Sequence, residues 1–149
     1  MRPLNPRGSV LVVDDHTDSR DMLSEFLKFA GFDVSTAATG DEAVARAQHL
    51  RPHVVFMDLS MPGLDGYEAT RRIKQAPDLA GTVVFALTAN ALPRAKQLAL
   101  AAGCDDVFVK PCDVAALAVH VYRIVNSGVA QSPSQPPRGQ TPGEFVDGD

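Results

Sequence analysis

The chain has 149 residues, a formal net charge of −4 and 45% hydrophobic residues. That length suits one domain with a short extension, and a domain of that size can bury an adequate core without disulfides. Because the sequence has no block of like charges, no signal-like N terminus and no apolar run long enough to span a bilayer, we expect no direct nucleic-acid partner, no membrane partner and a cytoplasmic location.

Short apolar runs alternate with amphipathic runs five times along the chain. The apolar runs predict strands, and the 3.6-residue periodicity of the other runs predicts helices. Because parallel strands need crossover connections, this alternation predicts an α/β fold with helices on both faces of a parallel sheet. The predicted strands are Ser9–Val13, Asp33–Ala37, His53–Met57, Thr82–Leu87 and Asp106–Val109; the predicted helices are Thr17–Ala30, Asp41–Leu50, Gly66–Ala76, Pro93–Ala102 and a last helix after Asp113.

Start and stop signals support several helix boundaries. Thr39 and Glu42 have capping-box spacing at the start of the second helix. Pro93 stands in the first turn of the fourth helix and Gly103 follows its end, while Asp113 can cap the fifth. These signals support the predicted order of helices. We expect a short N-terminal extension at residues 1–7 before the domain.

The composition changes after Asn126. Eight of the 22 residues in Gly128–Asp149 are Gly or Pro, and large apolar side chains are few. Such a segment cannot bury enough surface to offset the entropy of ordering it. We therefore expect residues 128–149 to be a disordered tail or a truncated linker.

Three aspartates follow predicted strands. Asp14 and Asp15 come directly after the first strand, and Asp58 comes directly after the third. Parallel strands place their C-terminal ends at one edge of the sheet, where α/β folds bind ligands. Clustered carboxylates repel one another unless a cation neutralises them, and Mg²⁺ prefers oxygen ligands. The sequence therefore predicts a Mg²⁺ site.

Four motifs occur in order at the ends of the predicted strands. They are Asp14-Asp15, the segment Asp58–Gly66, Leu87-Thr88-Ala89 and Val109-Lys110-Pro111. Together they resemble the receiver domain of two-component response regulators over about residues 8–127. The resemblance to a single-domain, chemotaxis-regulator-like receiver implies a doubly wound, flavodoxin-like sheet of five parallel strands in the order 2-1-3-4-5, with five helices.

The resemblance also implies the roles of the metal-binding residues. Mg²⁺ would be bound by the carboxylates of Asp14, Asp15 and Asp58 and by the backbone carbonyl of Ser60. Asp15 would bind the ion directly, and Asp14 chiefly through water. His16, beside Asp15, is expected to be an exposed loop residue at the mouth of the site and not a ligand.

By the same resemblance, Asp58 is the phosphoacceptor. It would take a phosphoryl group from a histidine kinase or a histidine phosphotransfer protein, with Lys110 and Thr88 contacting the phosphoryl group. Lys110-Pro111 matches the family's cis peptide bond. The chain departs from the family at Val107, where receivers commonly have an aromatic residue that moves with the threonine.

The implied function is a phosphorylation-dependent signalling domain and not an enzyme acting on other substrates. It would signal through a downstream protein partner or a phosphorelay, and a phosphorylation-dependent homodimer through the fourth helix, fifth strand and fifth helix stays open. One alternative is a receiver fragment of a hybrid histidine kinase or of a multidomain regulator. An aspartyl-nucleophile phosphatase is weaker, because Ser60 stands where that class needs a second aspartate.

Overall fold

The computed structural model describes residues 8–61 and 65–131. Strands and helices alternate along this part of the chain, as the periodicity predicts. The strands are β1 (Ser9–Val13), β2 (Asp33–Ala37), β3 (Val54–Asp58), β4 (Val83–Thr88) and β5 (Asp106–Val109). The helices are α1 (Thr17–Phe29), α2 (Gly40–Leu50), α3 (Gly66–Gln75), α4 (Pro93–Ala102) and α5 (Val114–Gln131), with a 3-10 turn at Pro77–Leu79.

The five strands form one parallel sheet in the order β2-β1-β3-β4-β5, which confirms the order implied by the resemblance. Val13, the last residue of β1, pairs with Met57. Asp58, the last residue of β3, pairs with Leu87. The register therefore brings the ends of the central strands to one edge of the sheet, where Asp14 follows the last residue of β1 and Asp58 ends the neighbouring strand β3.

Each face of the sheet is covered by its own hydrophobic core. Leu11 and Val13 contribute to the core under α2, α3 and α4. Val10 and Val12 contribute to the core under α1 and α5. Because successive side chains of a strand point to opposite faces, burial on both sides explains the unbroken apolar run of β1.

The helix-boundary signals correspond to observed hydrogen bonds. The Thr39 hydroxyl accepts a hydrogen bond from the Glu42 amide at 3.1 Å. The Glu42 carboxylate accepts from the Ala38 amide at 2.8 Å, one residue before the amide that a capping box predicts. The Asp113 carboxylate accepts from the Ala115 amide at 3.0 Å at the start of α5. Gly103, with a φ of 114°, ends α4 in the left-handed region.

Some boundaries differ from the prediction. Strands β3 and β4 begin and end one residue later than predicted, so that Asp58 and Thr88 are strand residues. Helix α5 continues to Gln131, past the predicted end of the domain. Residues 1–7 and 132–149 lie outside the described residues, so the predicted extension and most of the predicted tail stay predictions. Within the described ranges, no helix has the length and apolar content needed to cross a bilayer.

Candidate functional site

Asp14 and Asp15 form the first part of the site, immediately after β1. Asp14 is only 3% exposed. Its Oδ1 accepts a hydrogen bond from the His16 amide at 2.9 Å, and the Arg20 guanidinium donates to its backbone carbonyl at 2.9 Å. These bonds hold the turn between β1 and α1. The side chain of Asp15 is 29% exposed, so this second carboxylate faces the opening of the site.

Asp58 ends β3 and is also 3% exposed. Its Oδ1 accepts a hydrogen bond from the Ser60 amide at 3.0 Å. The first residue of α3, Gly66, packs against the backbone at Asp58 and Leu59. A Cβ atom at Gly66 would lie 2.8 Å from the Leu59 Cα and would collide with the Asp58 carbonyl oxygen. The start of α3 thus depends on glycine to approach the backbone of the predicted phosphoacceptor.

Lys110 comes directly after β5, and its ammonium group lies close to the carboxylates of both Asp14 and Asp58. Its backbone amide donates to the Thr88 carbonyl at 2.8 Å, which fixes the residue against β4. Its Nζ lies 3.1 Å from Asp14 Oδ2 and 3.8 Å from Asp58 Oδ2. The Lys110–Pro111 peptide bond is cis, as the resemblance implies. One ammonium group therefore partly neutralises two buried carboxylates.

The Asp58 carboxyl has a raised pKa. Burial is the largest cause, because it disfavours the charged form, and the nearby Asp14 carboxylate raises the pKa further. The Ser60 amide and the Lys110 ammonium oppose these effects and lower the pKa. Asp58 is therefore a carboxylate whose negative charge is only partly compensated by the protein.

Thr88 ends β4 next to this edge. It is 3% exposed, and its hydroxyl oxygen accepts a hydrogen bond from the Asn90 amide at 3.0 Å. The Asn90 side chain in turn accepts from the Leu92 amide at 2.9 Å. Because the hydroxyl proton of Thr88 has no acceptor among the described residues, Thr88 can donate to an oxygen atom that enters the site.

The residues present fit a divalent cation. The Oδ1 atom of Asp15 is buried and has no hydrogen-bond partner in the described part of the chain. Ligand atoms of Asp14, Asp15 and His16 lie within 4.8 Å of one another. A buried carboxylate oxygen without a partner is costly, and a bound cation would satisfy it. Carboxylate oxygens are suitable ligands for Mg²⁺.

The structure brings most of the predicted site residues together. The Lys110 ammonium lies close to the carboxylates of both Asp14 and Asp58, and candidate ligand atoms of Asp15 lie close to those of Asp14. Thr88 is placed by its strand position, and Ser60 by its amide contact with Asp58. No sequence pattern indicated a role for Arg20, which comes one helical turn into α1. His16 is 77% exposed, as expected, but its Nδ1 lies within the group of candidate ligands.

A cavity of about 430 Å³ opens beside the site. It is bordered by Asp14 and Lys110 and lies between α1, the end of β4 and the start of α5. Its walls are mainly apolar and include Leu87 and Leu117, with Met22 at 66% exposure on the rim. A group on a partner protein could therefore bury apolar surface directly next to the Asp14–Lys110 pair.

Comparison with known proteins gives one family for this chain. The family model described as the response regulator receiver domain matches residues 10–122. The virulence sensor protein BvgS of Bordetella pertussis is 36% identical over 141 residues, which cover 90% of this chain and 11% of BvgS. The chain thus spans about a tenth of that relative.

Two solved structures are also similar. The chemotaxis protein CheY4 of Vibrio cholerae has a TM-score of 0.73 and 35% identity, with 78% of this chain and 97% of CheY4 covered. The receiver domain of the sensor histidine kinase PA1611 from Pseudomonas aeruginosa has a TM-score of 0.75 and 33% identity, with 80% and 98% covered. That receiver was crystallised with a magnesium ion coordinated in its active-site cleft.

Proposed function

The chain belongs to the response regulator receiver domain family, and on that basis we propose that Asp58 is its phosphoacceptor. The observation that carries this proposal is the position of the Lys110 ammonium, 3.1 Å from Asp14 and 3.8 Å from Asp58. These two distances support the proposal, because the candidate acceptor, a candidate cation-binding carboxylate and a fixed positive charge then share one buried site.

The phosphodonor is a phosphohistidine on a histidine kinase or a histidine phosphotransfer protein. A carboxylate oxygen of Asp58 forms a bond to phosphorus while the phosphorus–nitrogen bond of the donor breaks, and the electron pair returns to the donor's imidazole. The product is an acyl phosphate. The Ser60 amide holds Oδ1 of Asp58 in position, and Lys110 offsets negative charge during the transfer.

Mg²⁺ is the cofactor that the site fits. Asp14, Asp15 and Asp58 would hold it with their carboxylates, together with the Ser60 backbone carbonyl, and Asp15 has the buried oxygen without a partner. When bound, the ion supplies a Lewis acid that neutralises charge on the phosphoryl oxygens. The Thr88 hydroxyl then donates a hydrogen bond to one of those oxygens, and Lys110 contacts another.

The apolar cavity beside the site is the docking position for the phosphodonor. A side chain of the donor that enters the cavity would be next to Asp14 and Lys110, close to the acceptor. This arrangement gives proximity between donor and acceptor, which accounts for a large part of the rate of such transfers.

The chain catalyses only its own phosphorylation and dephosphorylation, and it does not turn over other substrates. Its output is a contact with a downstream protein partner, or transfer of the phosphoryl group in a phosphorelay, in the cytoplasm. The alternative is a receiver that is part of a hybrid histidine kinase or a multidomain regulator, since BvgS carries its similar segment within a much longer chain. Sequencing the reading frame on both sides of the 149 codons distinguishes these two forms.

The proposal is tested with acetyl phosphate and Mg²⁺ as the phosphodonor system. Intact-mass measurement should show one added phosphoryl group on the full chain and none on Asp58→Asn. Asp33→Asn is the matched control, because Asp33 is an exposed aspartate at the opposite end of the sheet. Equal labelling of Asp58→Asn and Asp33→Asn would contradict the assignment.

A further inference from the structure

The imidazole of His16 lies beside the carboxylates of the cation site. We propose that His16 binds the metal ion through Nδ1 and shifts the preference of the site toward transition-metal ions such as Ni²⁺. The inference rests on the proposed function, because it concerns the same site. It adds one nitrogen ligand, which increases the preference for transition-metal ions beyond what oxygen ligands alone would give.

The distances suit a shared ion. Nδ1 of His16 lies 3.6 Å from Asp15 Oδ1 and 3.9 Å from Asp14 Oδ1. For bonds of about 2.1 Å, two ligand atoms at right angles are roughly 3.0 Å apart, and opposite ligand atoms are roughly 4.2 Å apart. Both observed separations fall within that range. A single ion could therefore contact the imidazole and the Asp15 carboxylate after a small movement of the ring.

The backbone holds His16 in place while the ring stays adjustable. The His16 amide donates to Asp14 Oδ1 at 2.9 Å, and the residue is extended just before α1. The ring makes no hydrogen bond to a residue in the described ranges, and the side chain is 77% exposed. Metal binding would therefore break no hydrogen bond of the ring within the protein. It would also satisfy the buried Asp15 Oδ1.

Ligand chemistry predicts for which metal ions the binding affinity depends on His16. Imidazole nitrogen suits Ni²⁺, Cu²⁺ and Zn²⁺, whereas carboxylate, carbonyl and water oxygens suit Mg²⁺ and Mn²⁺. Loss of the imidazole should thus weaken Ni²⁺ binding strongly. Mg²⁺ would keep its oxygen ligands and lose little affinity.

The experiment compares the untagged full chain with His16→Asn, and with His49→Asn as the control, since His49 is an exposed histidine of α2. Calorimetric titration should show that His16→Asn weakens Ni²⁺ at least about tenfold, the lower end for loss of a supporting metal-site group. Mg²⁺ affinity should change far less, and His49→Asn should match the parent for both ions. The Ni²⁺-loaded parent should also show a hyperfine-shifted imidazole N–H resonance that His16→Asn lacks.

Two results would overturn the role of His16. One is an unchanged Ni²⁺ affinity and an unchanged shifted resonance in His16→Asn. The other is an equal loss of Ni²⁺ and Mg²⁺ affinity, which would mean that His16 affects only the shape of the site. With either result, loss of Ni²⁺ and Mg²⁺ binding in Asp15→Asn would still show that the cation site itself is present. A parent that binds neither ion would instead contradict the cation site of the proposed function.

Discussion

The Lys110 ammonium is closer to Asp14 than to Asp58, at 3.1 Å compared with 3.8 Å. Before phosphorylation, the lysine thus pairs mainly with the neighbour of the acceptor and less closely with the acceptor itself. Because the same ammonium faces both carboxylates, a phosphoryl group on Asp58 would compete with Asp14 for it. This competition links the chemistry of Asp58 to the end of β5.

The first prediction follows from this shared ammonium. Lys110→Met keeps an unbranched side chain but removes the charge that lowers the pKa of Asp58. We expect slower labelling by acetyl phosphate and a lower melting temperature in Mg²⁺-free buffer, because the two buried carboxylates then repel each other without compensation. Added Mg²⁺ should restore much of the lost stability. Identical melting curves and labelling rates for parent and variant would contradict this role.

The second prediction concerns the raised pKa of Asp58. A carboxyl with a raised pKa in the folded state favours folding only while it is protonated. Its contribution to the free energy of unfolding is therefore present below the ordinary pKa of 3.8 and is lost as the pH rises through the folded-state pKa. Without Mg²⁺, Asp58→Asn should therefore be more stable than the parent at pH 7. The difference should shrink below about pH 4. Urea unfolding at a series of pH values in EDTA measures it, and a variant less stable than the parent at pH 7 would refute it.

The third prediction tests the close approach of α3. Gly66→Ala places a Cβ against the Asp58 carbonyl oxygen, so it should lower both stability and the labelling of Asp58. Helix propensity alone would predict the opposite sign, by up to about 1 kcal/mol. Gly81→Ala is the control, because a Cβ there would meet no atom within 4 Å. Equal melting temperatures for the two variants would show that the backbone at Asp58 accommodates the added Cβ without loss of stability.

The fourth prediction concerns the spread of the signal. Val107 is partly buried on the face of the sheet under α3 and α4. The Phe108 ring lies on the other face, where its centroid is 5.3 Å from that of the Phe85 ring and 5.0 Å from that of the His120 ring. Phe108 therefore cannot take the role of the aromatic residue that receivers commonly have where this chain has Val107. We expect phosphorylation to shift conformational populations only modestly, because valine has little volume to move.

Amide chemical shifts with and without beryllofluoride, a phosphoryl mimic, measure that spread. They should change around Thr88–Asn90 and Val107–Lys110 and extend weakly into α4. Changes limited to Asp14, Asp15 and Asp58 would indicate a phosphorelay intermediate without propagation. The face that would carry the signal to a partner, or to a second copy of the chain, includes Leu92, Arg94, Lys96, Asp106, Val107 and Arg123.

Periodicity and caps predicted the elements well where a signal marks each end. Helix α4 agrees with the prediction at both ends, since Pro93 starts it and Gly103 ends it. Strand ends were less predictable. Asp58 and Thr88 are polar, so the apolar pattern ends each strand one residue earlier, but their backbones continue the sheet pairing with Leu87 and Val109. The strand order came from the family resemblance, because hydrophobic periodicity contains no information about which strands are neighbours.

The site was predictable in composition but not in geometry. Four motifs at strand ends identified the residues, since parallel strands must bring those ends to one edge. The position of the His16 ring depends on the backbone angles of a single loop residue, and no sequence pattern reports them. The contact of Arg20 with the Asp14 carbonyl is equally local. Neither contact follows from a sequence pattern.

The most direct test of the central claim is to locate the phosphoryl group chemically. After labelling with acetyl phosphate and Mg²⁺, borohydride reduction converts an aspartyl phosphate to homoserine, and peptide mass spectrometry then identifies the modified position. Asp58 as a phosphoacceptor predicts homoserine at position 58, dependent on Mg²⁺ and absent without the phosphodonor. Homoserine at Asp14, Asp15 or another aspartate, with Asp58 unmodified, would contradict it.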